Sequence, residues 1–440
     1  MVELAEIPQR IAEAAHGSDA LVRARLRAAG ICMIGVALGA SMLPFYAVGS
    51  ALGPMMLEFD WTAEQVHLSY ALMMWAGALA VWPIGILVDR VGARPVVAAG
   101  AAGIAVVSLM LPLVHGFSQF CVLVALLGVL GSSGLGYSRV VAGLFGAHRG
   151  LAMGVLAAEG FALSKVVPLV MGRLVLAGGW RGAFTAIGLA MLALAPLVYF
   201  GLASRRRPSP LRRFPAAQAP EGGVTALQAA RDPVFWIIVA ASVSTAAMGG
   251  GVISSFGPAM TAKGFDHVTI LRAAPITLMA ALAGAICSGA LLDRVRSPRI
   301  AAAAYLATAA TYLIWWLATP GFGGEPMLIA GLALGAFGFT AQAPLVGYLF
   351  SRYFGLSSYG AIFGLQAFLQ PVTVALGASV IAGGLGLIGG YHLVFAVGMA
   401  AQVLAALLYL LLPPYRRPAT GEDGEDAAPD LVPILRVRSS

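Results

Sequence analysis

The sequence predicts an all-α membrane protein: twelve transmembrane helices in two six-helix bundles, with both termini cytoplasmic. Three observations lead there. The 440 residues are 60% hydrophobic and only 10% charged, against about 25% charge in a soluble globular chain. Apolar runs long enough to cross a bilayer as helices recur along the whole length. And the segment Gly85-Ile86-Leu87-Val88-Asp89-Arg90-Val91-Gly92-Ala93-Arg94 has a shorter copy, Gly289-Ala290-Leu291-Leu292-Asp293-Arg294-Val295-Arg296, 204 positions later. Each copy closes one apolar run and precedes another, as expected of a chain built from two related halves.

The elements follow in order. Residues 1–27 are polar and lack an apolar core, so they read as a cytoplasmic N-terminal tail and not as a cleavable signal peptide. Spans are expected at 28–55, 66–88, 95–115, 118–145, 151–174 and 181–203, which makes 28–203 the N-terminal bundle. The polar, arginine-rich stretch 204–233 is the cytoplasmic linker. Spans at 234–257, 269–292, 299–318, 327–350, 358–382 and 388–413 make 234–413 the C-terminal bundle. Residues 414–440, with the acidic run 422–426, read as a disordered cytoplasmic tail.

Orientation follows from the basic residues. With the N-terminus inside, 21 of the 27 Lys and Arg fall on the cytoplasmic side and four (Arg173, Arg181, Lys263, Arg272) on the other. That asymmetry is a positive-inside signal. The net charge of +8 therefore reports topology, and no nucleic-acid partner is expected. Cys32, Cys121 and Cys287 lie in separate spans without metal-ligand spacing. No metal, cofactor loop or nucleophile–base arrangement stands out, so neither cofactor nor enzymatic activity is expected.

The repeated Gly-x-Leu-x-Asp-Arg loop after spans 2 and 8, the two six-span halves and the basic central linker resemble the major facilitator superfamily, over about residues 28–413. The resemblance implies a transporter, with Gly85, Asp89, Arg90, Gly92, Arg94, Asp293 and Arg294 as a latch between conformations. The chemistry suits that role: glycines allow close backbone approach, and an aspartate can face a helix N-terminus, where the dipole favours an anion. Residues 145–154, with Arg149-Gly150-Leu151-Ala152, look like the segment between spans 4 and 5 of monocarboxylate porters and oxalate/formate antiporters. Gly179-Trp180-Arg181, Asp232-Pro233 through Trp236, and Tyr353-Phe354-Gly355 agree. One departure stands: members of that branch carrying small carboxylates tend to have a cation in span 8 or 11. Here span 8 has only Arg272 at its outer end, and span 11 has none.

Charges inside the membrane are costly, about 2.5–3.5 kcal/mol each on insertion scales, and are kept where they are paired or used. Only Arg139, Glu159 and Lys165 sit well inside spans. A rise of 1.5 Å per residue puts Arg139 about 10 Å and Glu159 about 13 Å from the cytoplasmic end, so the two could pair across the span 4–5 hairpin. Lys165 lies about 9 Å farther out, turned 120° from Glu159. Two readings stay open: a structural Arg139–Glu159 pair with a snorkelling Lys165, or cations that meet an anionic substrate beside a proton-coupling or gating Glu159. Tyr46, Tyr70, Tyr137, Gln342, Gln366 and Gln370 are further candidate cavity residues. Pro44, Pro168, Pro275, Pro344 and Pro371 are expected kinks, and Gly249–Gly251 and Gly383–Gly384 packing or hinge sites.

The expected function is a secondary active transporter of the inner (cytoplasmic) membrane. It would move a small organic anion, foremost a monocarboxylate, by alternating access and with coupling to protons. A monomer embedded in lipid is expected. The alternatives are an exporter of drugs or other amphiphiles, and an anion exchanger without proton coupling.

Overall fold

The computed structural model describes residues 30–35, 43–145, 148–202, 224–295, 297–380 and 390–415. The expected tails, most of the linker, Gly146, Arg296 and Gly383–Gly384 lie outside them. Among the described residues the secondary structure is helical, with two isolated bridges in the turn around Thr319. Among the described residues nine helices are long and apolar enough to cross a bilayer.

After a helical stretch at 30–35 come α1 (Leu43–Phe59), α2 (Ala63–Val91), α3 (Ala93–Met110), α4 (Phe117–Gly131) and α5 (Leu135–Leu144). α5 continues α4 through a 3-10 turn at Ser132–Gly134. Thr62 and Gln65 form a reciprocal capping box that starts α2, satisfying two backbone donors that a helix start leaves open. Between α2 and α3 the chain reverses in one residue: Gly92 has φ +101°, which a side chain would oppose.

The expected spans 5 and 6 form one continuous run, α6 (Arg149–Gly201), broken by the non-helical backbone of Gly179 (φ 68°, ψ 176°). α7 (Ala226–Arg231) is the described end of the linker, followed by α8 (Pro233–Ala262), α9 (His267–Arg272), α10 (Ala274–Arg294), α11 (Ala301–Leu317), α12 (Gly324–Tyr353), α13 (Tyr359–Val380) and α14 (Gly390–Leu410). Pro168, Pro344 and Pro371 lie within helices as expected. Pro275 does not: it stands in the first turn of α10, where a missing N–H costs nothing.

Before the linker, α2 packs on α4, and α3 on the second part of α6. After it, α11 packs on α12 and α14, and α8 on α13 and α14. The halves meet chiefly through two helix pairs, α2 with α13 and α6 with α10, with α12 also touching α6. Glycines set both crossings. A β-carbon on Gly85 would run into the Gly360 carbonyl, and one on Gly289 into the Gly150 carbonyl. One step along, Gly364 lies against Val81 and Gly154 against Ala285. The two crossings are thus copies of each other, with backbone on backbone.

Two valine substitutions separate packing within a half from packing between halves. Gly128 of α4 touches the Met73 carbonyl of α2, so Gly128→Val is expected to lower stability by about 1–3 kcal/mol. Gly85→Val is expected instead to speed thiol labelling of an Ala361→Cys probe, in a background lacking Cys32, Cys121 and Cys287. Thermal melts and labelling rates read the two effects.

Candidate functional site

At each crossing an aspartate closes the gap between helix and helix. Asp89, near the C-terminus of α2, accepts the N–H of Gly360 (2.9 Å) and of Ala361 (2.7 Å) at the start of α13. Asp293, at the end of α10, accepts the N–H of Gly150 (2.7 Å) and of Leu151 (2.8 Å) at the start of α6. The first N–H groups of a helix have no partner within it and carry the positive end of its dipole. A carboxylate there makes short, charge-assisted bonds.

The two sites differ in their third partner. Arg139 of α5 pairs with Asp89 (2.7 Å) and donates to the Val88 carbonyl (2.5 Å). Next to Asp293 the hydroxyl of Tyr348 donates to the Leu292 carbonyl (3.1 Å). Val88 and Leu292 each immediately precede the motif aspartate, so Arg139 and Tyr348 do the same work on the two carbonyls. Among the described residues Asp293 has no ion pair.

This corrects one expectation. Arg139 does not pair with Glu159. Spans 4 and 5 are joined by a short loop, but α4 packs along α2, tied by the Ser132 hydroxyl to the Gly77 carbonyl (2.8 Å). The long guanidinium therefore reaches the end of α2, where a buried aspartate needs a counter-charge. Glu159 is half-buried, and its Oε2 is shielded from solvent with no hydrogen-bond partner among the described residues.

Lys165 is exposed, with its ammonium 5.8 Å from the Phe161 ring centre, and makes no ion pair among the described residues. It lies eleven positions from Gly154. That is about 20° from the direction of the α10 contact and about 16 Å farther from the aspartate sites.

The other candidate residues scatter. Tyr137 is buried with its ring on Gly35. Gln342 is buried and donates to Thr308 (2.9 Å), and Gln366 is buried and donates to Ser242 (3.2 Å). Both amide nitrogens are thus engaged inside the second half, while the buried Oε1 of Gln342 has no hydrogen-bond partner among the described residues. Tyr46, Tyr70 and Gln370 are half-buried. Arg90 and Arg294 are exposed. Arg94 donates to the Tyr199 carbonyl (2.5 Å) and stacks on its ring, holding the α2–α3 turn to the end of α6.

Two clusters were not anticipated. Glu58 at the end of α1 accepts from Trp180 (2.6 Å) and Arg181 (2.5 Å), and Arg181 also donates to the Pro112 carbonyl (3.1 Å). Lys263 donates to the carbonyls of Trp315, Trp316 and Ala318 (2.6, 2.6 and 3.0 Å) at the end of α11. Each cluster joins elements of one half only, at the end away from the aspartates. The signal for both was visible: Arg181 and Lys263 are two of the four cations on the sparsely charged side.

Comparison with known proteins gives one family. The sequence model of the Major Facilitator Superfamily matches residues 31–324. A Bacillus subtilis (strain 168) protein, the uncharacterized MFS-type transporter YcxA, is 26% identical over 383 residues, covering 81% of this chain and 88% of that protein. Among solved structures, the human organic anion transporter MFSD10 (TETRAN) aligns with TM-score 0.66 at 14% identity, over 88% of this chain and 99% of that one. The E. coli fucose:proton symporter FucP aligns with TM-score 0.60 at 16% identity, over 86% and 98%.

The unequal aspartate sites give a quantitative expectation. Asp89→Asn strands Arg139 in a mostly buried position, a loss of about 3 kcal/mol. Asp293→Asn weakens only a helix-terminus contact, at about 0.5–2 kcal/mol. Combining Asp89→Asn with Arg139→Gln should cost less than the two changes summed. Thermal melts of the four variants in detergent measure this; equal effects of the two aspartate changes would refute it.

Proposed function

The chain belongs to the Major Facilitator Superfamily, a family of transporters and not enzymes, and within it we propose a secondary active transporter of small organic anions, monocarboxylates foremost, coupled to protons. Lys165 carries the anion reading. It is a cation with no ion pair among the described residues, on an otherwise apolar face of α6, and a cation kept inside a span is one that is used. Phe161 beside it offers an apolar surface for the rest of a small carboxylate. The structural neighbours named for organic anion and fucose:proton transport share the fold at 14–16% identity, so the substrate assignment rests on the residues.

Glu159 is the proposed proton site. Its unpartnered, shielded carboxylate oxygen is an unstable arrangement while ionised and an acceptable one when protonated. Gly85, Asp89, Arg90, Gly92, Arg94, Asp293 and Arg294 form the proposed cytoplasmic latch. In this state both aspartates hold the opposite half. In the proposed cycle two six-helix bundles, 28–203 and 234–413, rock about the substrate in the inner membrane, releasing four N–H···O bonds as the cytoplasmic side opens. Tyr46, Tyr70 and Gln370 are candidate contacts on the way; Tyr137, Gln342 and Gln366 would join them only after repacking.

Uptake of labelled carboxylates into proteoliposomes, with and without an imposed pH gradient, tests this. Lys165→Ala is expected to weaken anion affinity about 10- to 100-fold, the worth of a charge-assisted hydrogen bond. Glu159→Gln is expected to keep anion exchange and lose the response to the pH gradient. Absence of carboxylate uptake under any gradient would sink the substrate class, and normal carboxylate uptake by Lys165→Ala would remove Lys165 from anion recognition.

A further inference from the structure

One recess opens at the surface of the molecule beside the linker. It has a volume of about 650 Å³ and lies where the linker helix α7 meets the start of α8 and the end of α14, lined by Gln228, Arg231, Ile237, Leu411 and Pro413 among others. This is the arginine-rich end of the molecule, level with the aspartate sites, where headgroups of the surrounding bilayer lie.

Three features of α7 and the start of α8 have no explanation in the fold. Arg231 is exposed and makes no ion pair among the described residues. Leu227 of α7 is 66% exposed, and Trp236 of α8 is 51% exposed. The Trp236 indole N–H is already used, donating to the Ala230 carbonyl (2.8 Å). The ring is therefore fixed with its apolar faces outward, the posture of an interfacial tryptophan. The one carboxylate in the recess, Asp232, is engaged at the start of α8, where it accepts the Val234 N–H (2.9 Å), and does not neutralise Arg231 through an ion pair. A cation and an amide thus line the recess, and Leu227 and the fixed ring of Trp236 stand one position along the chain from its lining residues Gln228 and Ile237.

We propose that this recess binds the headgroup of an anionic phospholipid, with Arg231 and Gln228 on the phosphate and Leu227 and Trp236 against the upper acyl chains. Charge and apolar contact together are what hold a lipid at a protein surface. The bound lipid would fix the linker helix to the second half. That role is separate from transport chemistry and does not rest on the substrate proposed above.

Native mass spectrometry of the full-length protein in detergent tests this, with phosphatidylglycerol and phosphatidylcholine offered in equal amounts. The wild type is expected to retain phosphatidylglycerol about five-fold more, the preference one basic side chain confers beside an anionic lipid. Arg231→Gln is expected to bring the ratio to near parity, while Arg272→Gln at the opposite end leaves it unchanged. Equal retention of the two lipids by the wild type, or an unchanged preference in Arg231→Gln, would overturn the proposal. So would displacement of the lipid by millimolar inorganic phosphate, which would assign the recess to a free anion. The wild-type comparison decides the matter even if Arg231→Gln does not fold.

Discussion

The structure depends on a carboxylate placed against the start of a helix that belongs to the other half of the chain. Asp89 and Asp293 do this twice, each with two backbone N–H groups. The glycines beside them make the arrangement possible. Without the close approach of Gly85 to Gly360 and of Gly289 to Gly150, the helix ends would stand too far apart for an aspartate to span. Small residues bring helices together where lipid supplies no hydrophobic drive, and the carboxylate then converts proximity into a directed contact. Both ingredients break together, since neither backbone contact nor hydrogen bond tolerates much separation.

Much of this was legible in the sequence, and the omissions have physical reasons. Apolar run lengths marked the helices, because a bilayer sets a minimum length. The doubled Gly-x-Leu-x-Asp-Arg marked the aspartates, and the dipole argument anticipated their partner as a helix start. Which helix start was not anticipated. Yet Gly150-Leu151-x-x-Gly154 and Gly360-Ala361-x-x-Gly364 share a spacing 210 positions apart, the receiving half of the same duplication. The Arg139–Glu159 pairing failed because sequence neighbours were taken for packing neighbours. Gln342 and Gln366 looked like cavity residues because polarity in a span reads as function. In the fold their amides bond Thr308 and Ser242 within one half.

The duplication is exact in backbone and inexact in charge. Arg139 and Tyr348 hold equivalent carbonyls, but only the arginine also neutralises its aspartate. Glu159 and Lys165 likewise have no counterparts after the linker. The symmetric parts are those that any two-state rocking needs. The asymmetric parts are ionisable, and they are gathered in the first half. Among the described residues the far end is stapled within each half, by Arg181 on one side and Lys263 on the other. So the molecule is tied across at one end and along at the other.

The donors in both contacts are main-chain groups, and this gives the surface an unusual mutational grammar. Positions 151 and 361 contribute nothing of their side chains to the aspartates, so selection on this contact is blind to most replacements there. Proline alone erases an N–H. Variation among descendants of this chain would therefore accumulate freely in the letters at these positions while one letter stayed forbidden. The aspartates and glycines of the contact would show in residue identity, while positions 151 and 361 would be recognisable only by what never occurs there.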